Sequence, residues 1–186
     1  MFHKKIKIFY DGININEFKK FPYVSGYTTN PTLMNKGKIV SNKYKNFAME
    51  FLKSTNNLPV SFEVFADNLD EMIKQGKEIS SWDDSIYVKI PITNSKGKST
   101  AHVIEELNRL NIKVNVTALF TMEQVNIAVD SLKNNECGAI ISIFSGRIAD
   151  TGINPKEICK KTHDLVKNRN IEILWASTRE VYNVFD

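Results

Sequence analysis

The 186-residue chain has two cysteines, Cys137 and Cys159, in no Cys-x-x-Cys pair, and three isolated histidines, His3, His102 and His163. That excludes a disulfide framework and any recognisable metal spacing, so a reducing compartment and no structural metal are expected. Only four of its 25 basic residues are arginines, and the lysines are scattered without a run longer than two. The net charge of +4 therefore describes a solvated surface and not a nucleic-acid footprint. Glycine is scarce at eight residues, and neither GxGxxG nor GxxxxGK[ST] occurs, which argues against a doubly wound nucleotide-binding sheet. No apolar run approaches the roughly 18 residues of a membrane span. Met1-Phe2-His3-Lys4-Lys5 leads straight towards a strand and not into a long apolar leader, so the protein is expected in the cytoplasm, off the membrane.

A content of 42% apolar and 25% charged residues is enough to bury one core, which predicts a single soluble domain over residues 1–186. Short apolar or β-branched runs predict strands at Ile6–Tyr10, Ser25–Thr29, Leu58–Phe65, Ser85–Pro91, Lys113–Leu119, Ala139–Phe144 and Ile171–Ser177. Between them, apolar residues at helical spacing predict a turn or two over Ile13–Phe21 and helices over Ser41–Ser54 and Asn68–Ser80. Further helices are predicted after Ser99 or Thr100, after Thr121, and from Pro155 with Ile158, Thr162, Leu165 and Val166 on its apolar side. Asn30-Pro31 signals a turn, and Ser145–Gly152, with two glycines, a loop. Seven alternations of strand and helix with short connections require a parallel sheet with right-handed crossovers. Polar residues at the C-terminal ends of most strands (Asp11, Asn30, Glu63, Lys89, Thr117, Ser142 and Ser177) are what the catalytic face of a (β/α)8 barrel of the TIM type presents.

One stretch stands out. Ser85-Ile86-Tyr87-Val88-Lys89-Ile90-Pro91 has the composition of a strand buried on both faces, yet it carries Lys89 near its C-terminal end. A buried ammonium is relieved by losing its charge, which leaves the neutral, nucleophilic amine that imine chemistry requires, or by pairing with a carboxylate. Lys7 and Lys113 also touch strands, but near their starts, where a side chain can reach water. The other strand-end residues have structural alternatives too. Asp11-Gly12 fits a turn, Asn30-Pro31 is a turn signal in its own right, and Glu63 fits a salt bridge. Arg147, beside Gly146 after a strand end, is well placed for an anion.

These motifs, Phe9-Tyr10-Asp11-Gly12, Thr28-Thr29-Asn30-Pro31-Thr32, Ser61-Phe62-Glu63-Val64, Val88-Lys89-Ile90-Pro91, Asn115-Val116-Thr117, Ser142-Ile143-Phe144-Ser145-Gly146-Arg147 and Ala176-Ser177-Thr178-Arg179, occur in an order that resembles the transaldolase family. The resemblance covers essentially the whole chain and implies a (β/α)8 barrel with class I, Schiff-base aldol chemistry. It makes Lys89 the imine-forming lysine and Asp11 the general acid/base. It gives Glu63 and Thr117 the catalytic water, and Asn30 and Ser142 the hydroxyls of a dihydroxyacetone unit. Arg147, Arg179 and Ser177 become the phosphate site, with sugar phosphates as substrates and no cofactor. Two branches divide such proteins, transaldolases and fructose-6-phosphate aldolases. The second tends to carry glutamine and tyrosine where this chain has Glu63 and Phe144, so transfer within the pentose phosphate type of carbohydrate metabolism is expected over simple cleavage. Relatives in the resemblance continue with a helix, an eighth strand and a further helix. The expectation is therefore a C-terminally incomplete barrel with seven strands and open edges at the first and last. Such edges invite a homo-oligomer, and they leave a rival reading as an inactive sugar-phosphate-binding or assembly module.

Overall fold

A computed structural model describes residues 6–181 and residue 183; the N-terminal stretch with His3, and the final Val184-Phe185-Asp186, lie outside the described residues. Seven strands form one sheet: β1 (Phe9–Asp11), β2 (Gly26–Thr28), β3 (Val60–Glu63), β4 (Ile86–Pro91), β5 (Val114–Leu119), β6 (Ala139–Ile143) and β7 (Ile171–Trp175). All neighbours are parallel and the spatial order is the chain order. The helices are α1 (Pro31–Lys36), α2 (Tyr44–Lys53), α3 (Leu69–Ser80), α4 (Ala101–Arg109), α5 (Met122–Ser131), α6 (Ser145–Asp150) and α7 (Lys156–Val166). The sheet curls into an incomplete (β/α) barrel. Lys7, just before β1, forms an ion pair with Glu172 of β7, although the two strands do not pair among the described residues.

The strands carry two different faces. Val60, Phe62, Ile86, Val88, Ile90, Val114, Val116, Ile141 and Ile143 are buried in the core cluster together with helix residues such as Met72, Val103, Leu107 and Val125. Gly76 shows how closely the helix layer lies on the sheet: a Cβ there would come within 2.9 Å of Leu107 of α4 and 3.4 Å of Val88 of β4. Each fully buried side chain of this size contributes about 1.5–3 kcal/mol. The alternate positions, Ser61, Glu63, Lys89, Asn115, Thr117 and Ser142, are mostly polar. They share the other face by the period-two rule and look into the barrel.

Local signals set most element ends. Asn68 caps α3 by accepting from Asp70 N and Glu71 N, and Thr121 and Gln124 form a reciprocal capping box at α5. The structure departs from the sequence expectations in several places. Asn30-Pro31 opens α1 instead of ending in a loop: Asn30 Oδ1 accepts from Leu33 N, and Pro31 occupies a first-turn position that needs no donor. Ser41–Lys43 is a 3-10 turn before α2. Thr100 Oγ1 donates to the Pro91 carbonyl and does not cap α4, whose Ala101 N is bonded to Ser99 Oγ. Leu165 of α7 is exposed, while Thr162 and Val166 face the core. The expected loop over Ser145–Gly152 is largely helix α6. Gly146 sits inside it because a Cβ would fall 1.8 Å from the Ser177 carbonyl oxygen, a close approach that composition does not reveal.

Candidate active site

Lys89 lies on the inner face of β4, in register with Glu63 of β3 on one side and Asn115 of β5 on the other. Its side chain is almost fully buried, and the amine has two acceptors: the Thr29 carbonyl at 3.0 Å and Glu63 Oε2 at 3.3 Å. The amine that looked isolated in the sequence is thus relieved by a partner. Burial pushes the Glu63 carboxyl above its ordinary value, and the adjacent Lys89 ammonium reverses that only in part.

Backbone geometry holds this pair. Thr29 is buried, its amide and hydroxyl both donate to the Ser61 carbonyl, and its own carbonyl is thereby aimed at Lys89. One residue earlier, Thr28 Oγ1 donates to Asp11 Oδ1 at 2.7 Å, in register across β1 and β2. One residue later, Asn30 uses its oxygen on the α1 cap, which leaves its amide group at the cleft. Three consecutive residues therefore orient the acid, the amine and a hydrogen-bonding amide.

Beside the pair a polar chain runs through the interior from β6 across β5 to β3. Ser142 Oγ donates to Asn115 Oδ1 at 2.7 Å, and Asn115 Nδ2 donates to Ser61 Oγ at 2.9 Å, all three being fully buried. Thr117 Oγ1 is buried and has no hydrogen-bond partner among the described residues. It precedes Ala118, held at φ 61° where the β5–β6 register shifts between Val116 and Leu119. At the rim the Arg147 guanidinium stacks 4.9 Å above the Phe144 ring, whose other neighbour is Phe120. Arg179 follows β7 with Nη1 donating to Ser177 Oγ at 3.2 Å, and its Nε and Nη2 engage the Asp150 carboxylate. Asp11, Asn30, Glu63, Lys89, Thr117, Ser142, Phe144, Arg147, Ser177 and Arg179 all line one cleft of about 570 Å³ at the C-terminal ends of the strands.

The family profile described as transaldolase/fructose-6-phosphate aldolase matches residues 8–186. The chain belongs to this family. Similar proteins described as probable transaldolases include one from Thermoplasma volcanium, 35% identical over 96% of this chain and 78% of that protein. Others are from Nitrosopumilus maritimus, 33% identical over 97% and 78%, and from Clostridium botulinum, 31% identical over 97% and 80%. Within this transaldolase-family chain the ten residues singled out from the sequence come together, from seven different strand ends, in a single cleft. Two residues beside them escaped the sequence reading. Asn115 sits in the motif that contains Thr117, on the same strand face, and that spacing was the signal available. Asp150 lay in the stretch expected to be loop, where nothing local marks it.

Proposed function

We propose that this cleft transfers a three-carbon dihydroxyacetone unit between sugar phosphates through an imine on Lys89. The observation that carries the reading is a buried amine 3.3 Å from the Glu63 carboxylate, in the same cleft as Asp11 and two rim arginines. The Lys89 nitrogen adds to the ketose carbonyl and expels its oxygen as water, giving a protonated imine. Glu63, its carboxyl raised by burial, exchanges the protons this addition and dehydration require, and the Thr117 hydroxyl supplies a second contact for the water. Asp11 removes the proton from the hydroxyl on the far side of the bond to be cut. The bond's electron pair then flows into the imine, and an aldehyde leaves. An acceptor aldehyde takes the carbanion, Asp11 returns the proton, and water releases the product from Lys89. Asn30 and Ser142 hydrogen-bond the hydroxyls of the three-carbon unit, while Arg147, Arg179 and Ser177 hold the phosphate.

The test is borohydride reduction in the presence of fructose 6-phosphate, with the adduct located by mass spectrometry. Trapping on Lys89 that disappears in Lys89→Ala, at unchanged helix content, is the expected result; an adduct on another lysine overturns the assignment. Cleavage and transfer separate in the same assay. Free dihydroxyacetone formed without an acceptor aldehyde marks the aldolase reaction, and product formed only with an acceptor marks transfer.

A further inference from the structure

We infer that Asp150 is a positioning residue that presents Arg179 to the phosphate of the substrate, an inference that rests on the phosphate role proposed for that rim. A guanidinium offers two edges to an oxyanion: one through Nε and Nη2, the other through Nη1 and Nη2. Asp150 takes the first edge, with Nε at 3.1 and 3.0 Å from its two oxygens and Nη2 at 2.5 Å from Oδ2. Nη1 donates one hydrogen to Ser177 Oγ at 3.2 Å, and each terminal nitrogen keeps a second hydrogen with no acceptor among the described residues. A carboxylate that merely occupied the phosphate's place would lie inside the cleft. Ser177 and Arg179 line the cleft and Asp150 is not among its lining residues, so the carboxylate holds the Nε/Nη2 edge of a guanidinium that itself faces the cleft.

The fold makes this approach possible. Asp150 is the last residue of α6, one turn beyond Arg147, and Gly146 lets α6 press against the Ser177 carbonyl so that the carboxylate reaches across to Arg179. Arg147, stacked on Phe144, acts on the Asp150 carboxyl only through its charge, whereas Arg179 is hydrogen-bonded to it. Both members of the Asp150–Arg179 pair are about half exposed at the side chain, so what the pair supplies is a fixed orientation and not fold stability. A long arginine side chain left unheld at an open rim samples many rotamers, and misplacement of an anion clamp by an ångström is enough to weaken it.

The experiment compares wild type, Asp150→Asn and Asp150→Glu. The measurements are KM and kcat with fructose 6-phosphate, calorimetric binding of inorganic phosphate, and borohydride trapping with unphosphorylated dihydroxyacetone. Asp150→Asn should raise KM and weaken phosphate binding together, on the order of tenfold, with kcat held, and Asp150→Glu should recover part of the loss. Tighter phosphate binding or a lower KM in Asp150→Asn makes the carboxylate a competitor and overturns the inference. So does unchanged binding, or wild type that binds no phosphate. Dihydroxyacetone trapping reads the imine site alone. Its absence in wild type defeats the proposed transfer reaction, whereas phosphate calorimetry still decides the role of Asp150.

Discussion

Glu63 and Lys89 stand side by side across β3 and β4, with Oε2 3.3 Å from Nζ and both groups withdrawn from solvent. The parallel register alone creates this pairing, because neither residue is near the other in sequence. In the proposed reaction the pair combines the nucleophile with the group that moves its protons.

The ionisation of Glu63 sets a pH limit. Burial raises its folded pKa, so as pH falls the carboxylate is protonated earlier than an ordinary glutamate. With the carboxylate form required, the acid limb of kcat/KM lies above the pH at which an ordinary glutamate titrates. Glu63→Ala should slow imine formation by roughly 100- to 10,000-fold and remove that limb. A limb that survives in the variant belongs to another group.

Arg147 should matter for phosphorylated substrates alone. The side chain is exposed at the rim, so its contribution is screened, and Arg147→Ala should raise KM for fructose 6-phosphate by roughly tenfold, about 1.4 kcal/mol. Trapping with dihydroxyacetone should not respond. Phe144→Ala, which removes the ring beneath the guanidinium, should move KM in the same direction by less. Equal losses for both substrates would contradict a phosphate role.

Asn115 joins Ser61 and Ser142 in a buried chain that reaches the cleft only at Ser142. Asn115→Ala leaves two buried hydroxyls without this partner and should lower the unfolding free energy by about 1–3 kcal/mol or more in urea titrations. Because Ser142 is coupled to it, the double variant with Ser142→Ala should cost less than the sum of the single changes. Strict additivity would show that the two side chains act independently.

Gly146 has no room for a side chain. Gly146→Ala drives a methyl to 1.8 Å from the Ser177 carbonyl oxygen, and backbone cannot step aside as a side-chain tip does. Thermal or denaturant unfolding should register a loss of about 1–3 kcal/mol, with a raised KM for phosphorylated substrates because α6 and the segment after β7 separate. A stable variant with wild-type KM would mean that the two segments have slack.

The sequence by itself determined the seven strands, most of the helices and their order. Strand alternation, helical spacing and caps such as Asn68 and Thr121 act over at most a few residues, so their physical causes lie within the segment that displays them. A buried lysine in an apolar strand and polar residues at successive strand ends were legible for the same reason, and parallel topology then required those ends to share one face. Tertiary structure alone decided which groups touch. That Lys89 is answered by Glu63 and the Thr29 carbonyl, that Ser142 leans on Asn115, and that Arg179 is held by Asp150 depend on register and on sheet curl. The error over Ser145–Gly152 has the same origin: a glycine that looks like a local helix breaker is there for a carbonyl brought against it from the end of the next strand.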